Sequence, residues 1–129
     1  SGVVKVSAVL GKADADGNQD VTITIKIDPK YHLYANPVGN DSLKAAQTSV
    51  TFSTKLEGEP KFEYPAATKE VKDDVVGNYK TYEGSVTIKA RVKRVKGDTG
   101  PLDLSVKLQA CDDKSCLLPA TIKVTATEK

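Results

Sequence analysis

Apolar and polar residues alternate along most of this chain. In "VTITIKI" (residues 21–27) Val21, Ile23, Ile25 and Ile27 fall on one side. "SVTIKARV" (85–92) repeats the pattern with Val86, Ile88, Ala90 and Val92. "LDLSVKLQA" (102–110) gives Leu102, Leu104, Val106, Leu108 and Ala110, and "ATIKVTATE" (120–128) gives Ala120, Ile122, Val124 and Ala126. A period of two belongs to strands with one buried face. Residues 3–10 and 48–56 are weaker strands of the same kind. The turn-forming stretches "ADADGNQD", "NPVGND" and "KGDTGP" separate these segments. "NDSLKAAQ" (40–47) is the one helix-like piece, a turn or two long. About seven short strands in a chain of this size predict an all-β fold, an immunoglobulin-like antiparallel β-sandwich. The expected organisation is one domain over residues 1–129, with Ser1 and Gly2 in the manner of a cloning remnant.

Composition narrows the function classes. The chain has 129 residues, 28% charged and 39% hydrophobic, which suits a globular domain with its own core. Its formal charge of +2 is too small to argue for nucleic acid or a membrane surface. No apolar run approaches the length of a bilayer span. With no Trp or Met and two Phe, the core must come mainly from Val, Ile, Leu and Ala. The stretch "KFEYPAATKEVKDDVVGNYKTYEG" (61–84) alternates poorly and is long for a connection. It fits equally a functional loop or an edge strand with a surface loop.

The candidate chemistry lies in "QACDDKSCLLPATIKV" (109–124), which holds both cysteines, Cys111 and Cys116. Cys111 falls on the off-core parity of the strand before it, provided that strand runs on unbroken. The segment reads as two strands joined by "DDKS" with a cysteine at each end. As a clip, a disulfide here is weak. Chain entropy gives so short a loop about 2 kcal/mol, against about 4 for a loop of about sixty residues. A zinc site would need further ligands, and the chain offers one histidine, His32. A redox pair lacks the C-x-x-C spacing and a following helix. Asp112 and Asp113 oppose thiolate formation and Lys114 favours it, which suits a reductant or relay better than a strong oxidant. Chemistry alone leaves both the clip and the redox pair open.

"LQACDDKSCLLPATIKV" resembles the cysteine segment of the N-terminal periplasmic domain of the DsbD family, the thiol:disulfide interchange proteins. Gln109, Cys111, Asp112, Cys116 and Pro119 fit its pattern. "KYHLYANP" (30–37) is similar to the family's tyrosine-rich segment, and "KDDVVGNYKTYEG" (72–84) to its acidic cap loop. The resemblance implies an immunoglobulin-like module that relays reducing equivalents from a thioredoxin-like or transmembrane reductase domain. The acceptors would be oxidised periplasmic proteins, such as disulfide isomerases or the thioredoxins of cytochrome c maturation. The module would work without a cofactor or metal, as a monomer, in the periplasm or on the outer face of the inner membrane. It would be one part of a protein-disulfide reductase. Cys116 would form the mixed disulfide and Cys111 would resolve it. Tyr34 would pack beside the cysteines, with His32 in place of another aromatic residue. Asp73, Asp74, Val75 and Val76 would form the cap. Val75 stands where the best-known members carry a shielding aromatic, so either shielding is weaker or Tyr79 takes it over. The cysteine spacing is also one residue shorter than in the best-known member. The alternative is a non-catalytic interaction domain with a structural hairpin disulfide.

Overall fold

The computed structural model describes residues 2–128, so Ser1, half of the expected cloning remnant, lies outside the described residues. In chain order the strands are β1 (Val4–Leu10), β2 (Asn18–Ile27), β3 (His32–Tyr34), β4 (Ser49–Phe52), β5 (Lys61–Glu63) and β6 (Lys69–Val71), then β7 (Tyr79–Tyr82), β8 (Ser85–Lys93), β9 (Leu102–Leu108), β10 (Ala110–Cys111) and β11 (Ala120–Glu128). A 3-10 helix, Asp41–Ala46, follows β3, where the helix-like piece was expected.

Seven strands form one sheet in the order β4-β9-β11-β1-β2-β8-β5. The long segments with clean alternation become its long strands, because each can bury a full row of side chains. β2 and β8 pair in register from Asn18↔Lys93 to Lys26↔Ser85. Val21, Ile23 and Ile25 lie with Val86, Ile88 and Ala90 on the buried face. β9 and β11 pair from Leu108↔Ala120 to Leu102↔Ala126. The inward residues of both pairs belong to one core cluster or, for Ala120, Ile122 and Val124, pack against it. The sheet therefore folds over along the β1–β11 seam, and its two halves face each other as an immunoglobulin-like sandwich. Among the described residues, the seam carries the one departure from antiparallel pairing, a short parallel contact at Val9↔Thr127 and Leu10↔Glu128. Each fully buried Val, Leu or Ile contributes about 1.5–3 kcal/mol.

A second sheet, β10-β3-β7-β6, stands at one end of the sandwich. Its strands are two to four residues long. Ala110, Leu33 and Tyr82, opposed across β10, β3 and β7, face the core. The buried Tyr82 hydroxyl ties neighbouring loops together, 2.9 Å from the Pro65 carbonyl oxygen and 3.1 Å from that of Asn36. The poorly alternating stretch 61–84 thus becomes three short strands, one on the main sheet's edge and two in the end sheet.

Candidate functional site

The other face of the end sheet carries the site. Period two puts Cys111 opposite His32, Tyr34 opposite Thr81, Thr81 opposite Lys69, and Tyr79 opposite Val71. These side chains line one open cleft together with Cys116 and the turn between the cysteines. Cys111 and Cys116 are bonded as a disulfide.

Chain direction changes just before the pair. β9 ends at Leu108 and the chain crosses to the end sheet, where β10 begins at Ala110. The predicted strand 102–110 is therefore broken at Gln109. Parity survives the crossing: Ala110 joins the core cluster and Cys111 does not. Cys111 is nevertheless only 3% exposed, whereas Cys116 is exposed. The pair thus presents one reachable cysteine and one hidden one.

The hairpin holds this arrangement with its own hydrogen bonds. The Asp112 carboxylate oxygen Oδ1 accepts from the Lys114 and Ser115 N–H groups, both at 2.8 Å. Those two donors, with a smaller contribution from His32, hold the Asp112 carboxyl below the usual carboxylate range. The Asp112 N–H donates to the Ser115 carbonyl and the Leu117 N–H to the Ala110 carbonyl, each at 2.8 Å. Gln109 Nε2 donates to the Leu117 carbonyl at 3.1 Å. The predicted two-strand hairpin is thus a two-residue strand bridged at Cys111↔Cys116, and β11 starts only at Ala120, past the exposed Pro119. Leu118, between Cys116 and Pro119, is 88% exposed.

Two tyrosines form one wall. The Tyr34 hydroxyl lies 3.9 Å from Cys116 Sγ. A disulfide sulfur carries no proton, so the phenol is the donor in this weak contact. Tyr34 and Tyr79 stack at a tilt with ring centroids 5.5 Å apart. Desolvation, then Tyr79 and Asp73, push the Tyr34 hydroxyl pKa above its usual value, so it stays protonated.

The expected cap divides. Tyr79 lines the cleft, but Asp73, Asp74, Val75 and Val76 are not part of its wall. Val75 is 93% exposed and covers nothing. The loop is folded on itself instead. Asp73 Oδ1 accepts from the N–H groups of Val75 and Val76, at 2.7 and 3.0 Å, which lowers its carboxyl pKa. Asn40 fastens the loop from outside, with Nδ2 donating to the Val76 and Asn78 carbonyls at 2.8 and 3.2 Å. The same Asn40 caps the 3-10 helix through Oδ1. Gly77 has φ +90°, and a Cβ there would come within 3.2 Å of Asn40 Nδ2.

Sequence reasoning missed Lys69, Val71, Thr81 and Glu83 as lining residues. Lys69, Val71 and Thr81 lie on strands too short for alternation to show, and Glu83 lies just after β7. It also missed Asn40, although an Asn before "DSL" carries the signal of a helix cap. Among the described residues, no group of three or more His, Cys, Asp or Glu side chains is placed to hold a metal ion.

Fold and site define a class: an immunoglobulin-like β-sandwich bearing an accessible cystine on an end sheet. Residues 3–128 match the family described as thiol:disulfide interchange protein DsbD, N-terminal. The chain belongs to this family, whose members take part in thiol:disulfide exchange. The fold is similar to that of the N-terminal periplasmic domain of ScsB from Proteus mirabilis, with TM-score 0.71 and 14% identity over 97% of this chain. The chain spans 46% of the length of that solved domain. It is also similar to the reduced DsbD N-terminal domain of Neisseria meningitidis, with TM-score 0.56 and 20% identity over 93% of this chain and 82% of that one. A third similar structure is a complex between the DsbD N-terminal and PilB N-terminal domains of Neisseria meningitidis, with TM-score 0.50 and 18% identity over 92% of this chain and 80% of that one. No curated protein matches the chain in sequence.

Proposed function

We propose that residues 1–129 act as one thiol–disulfide exchange module in the periplasm. The module takes reducing equivalents from a thioredoxin-like or transmembrane reductase domain and passes them to oxidised periplasmic proteins through Cys111 and Cys116. The observation that carries this reading is the pairing of an exposed Cys116 with a buried Cys111 at the edge of an open cleft. Thiol–disulfide exchange needs one sulfur within reach of a partner and a second within bonding distance of the first. A hairpin held by its own hydrogen bonds meets both needs and adds little as a staple.

In the reduced module the Cys116 thiolate attacks one sulfur of the acceptor's disulfide and expels the other as a thiolate. Cys111 then loses its proton and attacks Cys116 Sγ. The Cys111–Cys116 bond forms, the mixed disulfide breaks, and the acceptor leaves as a dithiol. Two electrons and two protons have moved. A thioredoxin-like donor reverses the sequence, attacking first at exposed Cys116. The neutral Tyr34 hydroxyl is placed to donate to the sulfur that carries charge during attack. Tyr79 backs Tyr34, and the DsbD–PilB complex shows a family member engaged by another protein domain.

Removing the resolving sulfur tests this. Cys111→Ser protein is mixed with a thioredoxin-like domain that keeps one active-site cysteine, activated as its thionitrobenzoate disulfide. The expected result is a stable covalent adduct through Cys116 and release of thionitrobenzoate; Cys116→Ser gives neither. A folded Cys111→Ser protein that forms no adduct with such a domain leaves the hairpin as a clip on an interaction domain.

A further inference from the structure

Resolution demands that Cys111 lose a proton, and its surroundings make that difficult. At 3% exposure it is shielded from water, and burial disfavours a thiolate. Of the groups near it, two are poor proton acceptors. The Asp112 carboxylate is occupied by two N–H donors that hold its pKa low. The Tyr34 phenol is held in its protonated form. The residue directly across from Cys111 is His32. Opposed residues of an antiparallel pair project to one face, with Cβ atoms about 4.5–5.5 Å apart. The half-buried His32 lines the same cleft as both cysteines. Asp112 stands close enough for His32 to lower its carboxyl pKa, so a charge on the imidazole has a carboxylate to face.

We propose that His32 accepts the Cys111 proton when Cys111 resolves a mixed disulfide at Cys116. The proposal rests on the exchange reading above and assigns its slow proton step. The imidazole takes the thiol proton, and the Cys111 thiolate attacks Cys116 Sγ. The sulfur–sulfur bond to the partner breaks, and the departing partner thiolate takes up a proton from the imidazolium or from water. Charged groups on the elements around His32 are Glu83, Asp112 and Asp113, set against Lys30, Lys69 and Lys114. Tyr31, Tyr34 and Tyr79 share these walls.

The test uses the reduced chain mixed rapidly with 4,4′-dithiodipyridine. The first equivalent of thiopyridone reports attack by Cys116, and the second reports resolution by Cys111. The wild type is expected to show a second release that accelerates as the imidazole loses its charge. His32→Gln, and His32→Phe, which keeps the ring's bulk, should slow the second release by about ten-fold or more at neutral pH. Both should leave the first release unchanged and abolish that imidazole-dependent rise. A second release with the wild-type rate and pH profile in both variants overturns the proposal. So does equal slowing of both releases, which marks a structural role. A wild type that gives one release and no second brings down the exchange reading itself, a failure visible before any variant is made.

Discussion

The long strands of the main sheet and the short strands of the end sheet are held by different means. β2, β8 and β9 run seven to ten residues and bury rows made mostly of Val, Ile and Leu, while β11 packs half-buried Ala120, Ile122 and Val124 against them and buries Ala126. β3, β6, β7 and β10 run two to four residues, and β3, β7 and β10 anchor the end sheet by Leu33, Tyr82 and Ala110. Beyond those anchors the end sheet depends on polar devices: the Asp112 turn, the Asp73 loop and the Asn40 tie. The cystine sits on the second kind of structure, fastened to the first. Chemistry that must meet a partner is placed where the backbone is exposed and locally held, while a rigid core fixes its position.

The largest break in this comparison should come from the core. Ile88→Ala, at a site with 0% exposure, should cost about 2–5 kcal/mol in denaturant unfolding and loosen both sheets together. Reduction of Cys111–Cys116 should cost less, about 2 kcal/mol at most. Its effect on amide exchange should stay within β10 and its turn, while β2 and β8 keep their protection. Equal loosening of the main sheet on reduction would show that the cystine is a global staple.

The smallest effect concerns acid. The Asp73 and Asp112 carboxyls are both lowered from 3.8 by backbone N–H donors, those of Val76 and Val75 and of Lys114 and Ser115. A lowered folded pKa gives stability that is complete above the unfolded value and lost as pH falls through the folded one. Acidification below 3.8 should therefore shift the amide signals of Val75, Val76, Lys114 and Ser115 before those of β2 and β8. Asp73→Asn and Asp112→Asn should each remove the transition in their own loop. A simultaneous transition in all strands would mean that neither loop is locally held.

What was legible in the sequence follows the same division. Alternation found β2, β8, β9 and β11 because a row of four inward residues cannot be mistaken for another period. It set Cys111 off the core on the condition of an unbroken strand, but the strand breaks at Gln109 and Cys111 is buried at 3% exposure. It could not foresee this burial, because the pairing partner of Cys111, β3, is remote in sequence. The end sheet was illegible, since two to four residues cannot display a period. Motif resemblance supplied what periodicity could not, bringing Tyr34 and Tyr79 to the cysteines' neighbourhood. It misplaced the loop tip, where Val75 points to solvent because Asp73 and Asn40 hold the backbone by its own amides.

The unequal exposure of the two cysteines has a kinetic consequence. If donor and acceptor both exchange through this hairpin, each must arrive at Cys116, since Cys111 is closed to them. One doorway serves two visitors, so they cannot be bound together. Turnover then alternates between them in a ping-pong order, and an excess of either partner inhibits the other by occupying the wrong redox form.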